Sequence, residues 1–150
     1  ESFSMTIWIL NGPNLNRLGK REPEIYGRTT LAEVETWARE AAGDTPLRFH
    51  QSNAEYEIID WIHEAIDTGG RGIVINPAGL TFTSVPVMDA LKMFPGPIIE
   101  LHISNIHRRE AIYHRSLVSP VATAVVAGLG ARGYVHAVHA LAEMIGQDAP

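Results

Sequence analysis

The chain has 150 residues, 45% of them hydrophobic and 19% charged, which suits one globular domain and excludes disordered, collagen-like and disulfide-stapled classes. Its 12 Lys and Arg against 17 Asp and Glu leave a formal charge of −5, so a generic electrostatic grip on nucleic acid is not expected. The lack of cysteine excludes thiol catalysis and Cys-based zinc sites, and no apolar run approaches the roughly 20 residues of a membrane-spanning helix.

Glu1-Ser2-Phe3-Ser4, ahead of Met5, reads as an expression scar, leaving residues 5–150 as a single domain. With no secretory signal pattern at its head, the chain is expected in the cytoplasm. Thr6 to Leu10 reads as a buried strand. Thr30-Leu31-Ala32-Glu33 is a capping-box pattern, and Leu31, Val34, Trp37, Ala38 and Ala41 then keep helical spacing. Leu47 to Gln51 is a weaker strand. Ser52-Asn53-Ala54-Glu55 reads as a second capping box, ahead of Ile58, Ile59, Ile62 and Ile66 on one helix face. Gly72 to Asn76 is a third strand and a helix follows over Thr83 to Lys92. Pro97 to Ile103 and Thr123 to Leu129 are the fourth and fifth strands. A last helix over Gly130 to Ile145 turns Val135, Val138, Leu141 and Ile145 inward.

Apolar strands alternating with helices imply an α/β fold: a flavodoxin-like, doubly wound, five-stranded parallel sheet with helices on both faces. In such folds ligands bind beyond the carboxyl ends of the strands. The polar residues converge there: Asn11 and Asn14 after strand one, Asn76 ending strand three, Glu100, His102 and Ser104 about the end of strand four.

Asn11 to Thr29 lacks helical or strand periodicity, and loops that long are usually functional lids or disordered. It carries Arg17, Lys20, Arg21, Arg28 and Tyr26; the segment after strand four adds Arg108, Arg109 and Arg115. Cations gathered into two loops of an acidic chain suggest a small anionic substrate, against the plainer reading of a solvated charged surface. Gly12 to Lys20 does not have Walker A spacing, and Gly128-Leu129-Gly130 lacks the third glycine of a dinucleotide motif. His102, His107 and His114 match no zinc spacing, and His136 with His139 reads as a helix-surface pair, so no metal is expected. His102 stands apart. Side chains two apart share a strand face, so Glu100 can orient its imidazole for acid/base work.

Asn11-Gly12-Pro13-Asn14-Leu15-Asn16-Arg17-Leu18-Gly19, Arg21-Glu22-Pro23 and Tyr26-Gly27 resemble the opening of type II 3-dehydroquinate dehydratases. Gln51-Ser52-Asn53, Asn76-Pro77, Thr83-Ser84, Glu100-Leu101-His102-Ile103-Ser104-Asn105 and Ser119-Pro120 match further family blocks in order, so the resemblance runs from Met5 onward. It implies a lyase that eliminates water from 3-dehydroquinate through an enolate to give 3-dehydroshikimate, without metal or cofactor. Tyr26 would be the base; a free tyrosine titrates near pH 10, so Arg21 and Arg109 would favour its ionised form. Asn14 would hold a water against the enolate oxygen, and His102, oriented by Glu100, would protonate the leaving hydroxyl. Ile103 and Ser104 would receive the substrate carboxylate and Asn76 a ring hydroxyl. The resemblance further implies a homododecamer of trimers, with Asp89 reaching a neighbouring subunit's site.

The chain departs from the family pattern at three positions. Phe82 stands where the family usually has histidine, Tyr113 where it usually has arginine, and Met88 where it commonly has arginine. In the family the first two usual residues bind ring hydroxyls, so their loss leaves such a hydroxyl unpaired unless water, Tyr113, His114 or Arg115 compensates. Two alternatives therefore stand beside the dehydroquinate reading: the same elimination on a less hydroxylated cyclic keto acid, and a catalytically silent ligand-binding homologue.

Overall fold

Five parallel strands, β1 (Ile7–Asn11), β2 (Leu47–Gln51), β3 (Gly72–Asn76), β4 (Ile98–His102) and β5 (Ala124–Ala127), lie in the order β2-β1-β3-β4-β5. This is the strand order expected of the flavodoxin-like fold. The computed structural model describes residues 5–147, so the four residues read as an expression scar lie outside it. The central strands β1, β3 and β4 are buried at every residue, as continuous apolar runs in a doubly covered sheet require.

Strand alternation divides the core in two. Ile7, Ile9, Val74, Ile99 and Leu101 face α2 (Leu31–Ala42) and α5 (Gly133–Gln147), where Val34, Ala38, Tyr134, Ala137, Val138 and Leu141 meet them. Trp8, Leu10, Ile73, Ile75 and Ile98 face α3 (Glu55–Asp67) and α4 (Val85–Lys92), which contribute Ile58, Ile62, Ala65, Val87 and Leu91. The same parity carries on to the strand ends. Asn11 and Asn76 point to the α5 side, whereas Glu100 and His102 share the α4 side with Ile98. The ladder registers Asn11 with both Gln51 and Asn76, so the polar ends form one row.

Several local expectations shift. The Thr30–Glu33 capping box forms in both directions, at 3.0 and 3.2 Å. The second capping box does not. Helix α3 is capped by the backbone of Ala54, and the Ser52 hydroxyl instead accepts from the Ala54 N–H (2.9 Å) and bonds the Glu57 carboxylate. Ser84, one residue after the expected start, caps α4 by accepting from the Val87 N–H at 3.0 Å. Helix α5 starts at Gly133, after a separate 3-10 turn over Gly130–Arg132, and buries Tyr134 and Ala137 with Val138 and Leu141, whereas Val135 is only partly buried.

Residues 11–29 are more ordered than their lack of periodicity suggests. A 3-10 turn (Leu15–Arg17) and a one-turn helix α1 (Pro23–Tyr26), with Pro23 at its start, interrupt the segment. Leu15 and Leu18 are buried in the α2/α5 core and pin its first half. Each such burial stabilises by roughly 1.5–3 kcal/mol. Gly19, at φ 92°, lies where a Cβ would meet the Arg28 carbonyl oxygen at 2.8 Å.

Candidate active site

A cleft of about 190 Å³ opens at the carboxyl ends of β1, β3 and β4. That volume suits a single substituted ring, since drug-sized ligands need roughly 300 Å³ or more. Asn14, Arg21, Tyr26, Asn76, Phe82, His102, Ile103, Ser104, Arg109 and Tyr113 all line it. Of the remaining expected residues, Glu100 lies buried behind His102, and Asp89 sits exposed on α4, ion-paired to Lys92 at 3.9 Å and away from this cleft. Among the clustered loop cations only Arg21 and Arg109 reach the lining; Arg17, Lys20, Arg28, Arg108 and Arg115 do not.

The first wall comes from the β1–α2 segment. Asn14 adopts a left-handed conformation (φ 73°) and donates its backbone N–H to Asn53 Oδ1 at 2.9 Å. Gln51, at the end of β2, donates through Nε2 to the Gly12 carbonyl and to Asn53 Oδ1, both at 3.2 Å. The loop after β1 is thus tied to the loop after β2. Helix α1 ends in Tyr26, whose hydroxyl accepts from Arg109 Nη1 at 3.0 Å while the Arg21 guanidinium lies 4.8 Å from its ring centroid. Two cations from separate loops therefore converge on one phenol.

The second wall is built on β4. Glu100 is fully buried and its carboxylate meets His102 Nε2 at 2.5 Å. The other Glu100 oxygen accepts from the Ser119 hydroxyl at 2.5 Å, and the first also accepts from Ser116 at 2.8 Å. The Ser116 oxygen itself accepts from the Val118 and Ser119 N–H groups, both at 3.0 Å, so its proton is directed at Glu100. Burial works against ionisation of Glu100, but the bonds from His102, Ser119 and Ser116 outweigh it and hold the carboxyl below its ordinary range. An ionised Glu100 can only accept, so His102 donates through Nε2 and presents Nδ1 to the cleft. After β4, the carbonyls of His102 and Ile103 accept from Gly128 and Gly130 N–H at 3.2 and 3.0 Å, turning Ile103 and Ser104 into the lining.

Asn76 is oriented from below. Its Nδ2 donates to the Tyr134 hydroxyl at 3.0 Å, which in turn donates to Asn11 Oδ1 at 2.7 Å, and Asn11 Nδ2 donates to the His50 carbonyl at 3.0 Å. Burial pushes the Tyr134 phenol well above the usual tyrosine range, so it remains a donor. Asn76 Oδ1 accepts from the Ala78 N–H at 3.2 Å.

The third side is aromatic. Phe82 meets Tyr113 edge to face (5.3 Å, 74°) and lies nearly parallel to the His102 imidazole at 6.3 Å. The Arg109 guanidinium sits 4.1 Å from the Tyr113 ring centroid. Tyr134 and Ser116, and the tethering parts played by Gln51, Asn53 and Ser119, stand outside the expectations drawn from sequence. The available signal was a phenol on the apolar face of the last helix, which must find a partner when buried. Among the described residues no three His, Cys, Asp or Glu side chains gather as a metal site, and no helix is long and apolar enough to cross a membrane.

The fold and cleft define an α/β protein with paired acid/base candidates at the strand ends. The family model for dehydroquinase class II matches residues 5–142, and the chain belongs to that family of lyases. It is 60% identical over 129 residues to "3-dehydroquinate dehydratase 2" of Agrobacterium fabrum, covering 84% of this chain and 86% of that protein. It is 55% identical over 141 residues to "3-dehydroquinate dehydratase" of Methylobacterium radiotolerans, covering 93% and 94%. The crystal structure of the type II dehydroquinase from Propionibacterium acnes matches with a TM-score of 0.89 at 42% identity, covering 93% of this chain and 97% of that one. A 3-dehydroquinate dehydratase-like protein from Bifidobacterium longum matches more loosely, at TM-score 0.64 and 28% identity.

Proposed function

We propose that this protein dehydrates 3-dehydroquinate to 3-dehydroshikimate, with Tyr26 as base and His102 as acid. One observation carries the reading: in a single cleft, a phenol held by a guanidinium at 3.0 Å accompanies an imidazole held by a buried carboxylate at 2.5 Å. The Tyr26 oxygen, as phenolate, takes the proton next to the ketone and the electron pair moves into an enolate. Arg109 and Arg21 stabilise the negative charge on the base before transfer. Asn14 holds a water against the enolate oxygen, a preorganised donor for charge that develops only along the reaction. The enolate then collapses. Its electron pair forms the ring double bond, the C–O bond breaks, and the departing hydroxyl takes a proton from His102 Nδ1 and leaves as water. Glu100 keeps the imidazole aimed and stabilises its protonated form.

Ile103 and Ser104 receive the substrate carboxylate and Asn76 binds a ring hydroxyl through the amide capacity left after its bonds to Tyr134 and Ala78. No metal or cofactor has a part in this scheme. The active form is a homododecamer of trimers in the cytoplasm, with Asp89, exposed on α4, reaching a neighbour's cleft. The edge-to-face Phe82–Tyr113 pair favours a second reading, the same elimination on a cyclic keto acid that lacks a hydroxyl on that side.

Addition of 3-dehydroquinate with ultraviolet detection of the conjugated enone tests the first reading. Turnover is expected, falling by at least about 10²–10⁴ in Tyr26→Phe while ligand binding survives. A folded sample inert toward 3-dehydroquinate but active on a deoxy analogue would replace it with the second reading.

A further inference from the structure

Arg109 is a long, half-exposed side chain asked to keep one nitrogen at 3.0 Å from the Tyr26 hydroxyl. Among the described residues no carboxylate forms an ion pair with it. Its backbone is fixed, with its N–H donated to the Ile106 carbonyl at 3.2 Å and its carbonyl accepting from His114 Nε2 at 2.6 Å, but neither bond restrains the side chain. What the guanidinium does meet is the face of Tyr113, 4.1 Å from the ring centroid. The Tyr113 ring is in turn wedged by Phe82, packed against it edge to face at 5.3 Å with its other neighbour the His102 imidazole at 6.3 Å.

We propose that Tyr113 is a positioning residue, an aromatic platform buttressed by Phe82 that holds Arg109 in bonding reach of Tyr26. The proposal rests on Tyr26 being the base. The chemistry of the platform matters. A carboxylate partner would fix Arg109 by neutralising it, and the phenol would then face a spent cation. A ring quadrupole attracts the cation while leaving its net charge in place. A guanidinium held over a ring face also has less freedom to swing, and its fork is planar by nature, so the nitrogen aimed at Tyr26 stays aimed. Phe82 and Tyr113 thus link acid and base through contact: His102, Phe82, Tyr113, Arg109 and Tyr26 form one continuous chain of packed groups across the cleft.

The test combines kinetics on 3-dehydroquinate with ligand-free crystal structures of Tyr113→Leu and Tyr113→Phe, and with Arg109→Gln alone and together with Tyr113→Leu. Tyr113→Leu is expected to lower kcat by about tenfold with KM changed less than about threefold, whereas Tyr113→Phe, which keeps the ring face, recovers most of that loss. In the Arg109→Gln background the leucine substitution should add less than about twofold, because the group it positions is already gone. The Arg109–Tyr26 bond should be broken in the leucine structure and kept in the phenylalanine structure. Tyr113→Met takes the place of the leucine variant should that fail to fold. A rise in KM with kcat retained, a full tenfold loss repeated in the Arg109→Gln background, or an intact Arg109–Tyr26 bond in the leucine structure overturns the proposal. If the unsubstituted protein is inert toward 3-dehydroquinate, the proposed activity falls, and the two crystal structures still decide whether Tyr113 holds Arg109.

Discussion

Replacing Tyr134 by phenylalanine removes one oxygen from beneath the cleft and nothing from the apolar packing around it. That oxygen accepts from Asn76 at 3.0 Å and donates to Asn11 at 2.7 Å, in a region where Tyr134 and Asn11 are fully buried and Asn76 is 3% exposed. Each of the two buried atoms that lose this partner, Asn76 Nδ2 and Asn11 Oδ1, costs about 1–3 kcal/mol, and the gain from no longer burying a hydroxyl offsets only part of it. The expected destabilisation is therefore ~2–4 kcal/mol, or roughly 5–15 °C in Tm for a chain of this size. Urea unfolding at matched protein concentration measures it, and the midpoint should fall with the m-value unchanged. A loss below about 0.5 kcal/mol would refute the reasoning, since it would mean that the two amides find other partners at no cost.

The Glu100 carboxyl lies below its ordinary range in the folded chain, so its contribution to stability is complete above about pH 4.5 and is lost as pH falls through the folded-state value. Unfolding free energies of the parent and Glu100→Gln from urea titration should differ by roughly 1–3 kcal/mol at neutral pH and converge in acid; a gap that stays constant on acidification would contradict this. Gly12→Ala places a Cβ 2.3 Å from the Pro77 carbonyl oxygen and 2.7 Å from its carbon, backbone that cannot step aside, so a loss of about 1–3 kcal/mol and an altered cleft are expected by thermal melting and ligand titration. Ser119→Ala deletes the donor to one Glu100 oxygen and should cost about 1.5–3 kcal/mol, with its stability deficit shrinking as Glu100 is protonated; an equal deficit at acid and neutral pH would show that the hydroxyl serves packing alone.

The strands, their parallel order and the site's position at their carboxyl ends were legible because apolar β-branched runs and their polar termini are local in sequence. Helix starts were less so. Ser52 satisfies the capping-box spelling, yet its hydroxyl accepts from the Ala54 N–H, ahead of the helix, and bonds the Glu57 carboxylate instead of capping α3. Tyr26, Arg21 and Arg109 were legible through long motifs, whereas the clustering of cations overstated the lining. Arg17 and Arg28 share the loop but not its inward direction, which backbone geometry sets. Tyr134 and Ser116 escaped notice because their partners lie 123 and 16 residues away in sequence, at positions that spacing alone does not pair.

The polar ends of the strands also bear on how the sheet finds its alignment. In β1 and β3 both faces are apolar, so sliding one strand past the next by a residue exchanges Ile for Trp or Val for Ile and leaves the hydrophobic pattern nearly indifferent. The terminal residues are not indifferent. A slip of one place turns Asn11 away from Tyr134, or turns Glu100 from its serines toward Leu101's side of the core, where a carboxylate has no partner. Asn11, Asn76 and Glu100 thus act as registration marks on otherwise repetitive strands. Removing them for an apolar variant would leave a chain still able to collapse, but with neighbouring alignments closer in energy and a site that no longer assembles at one place.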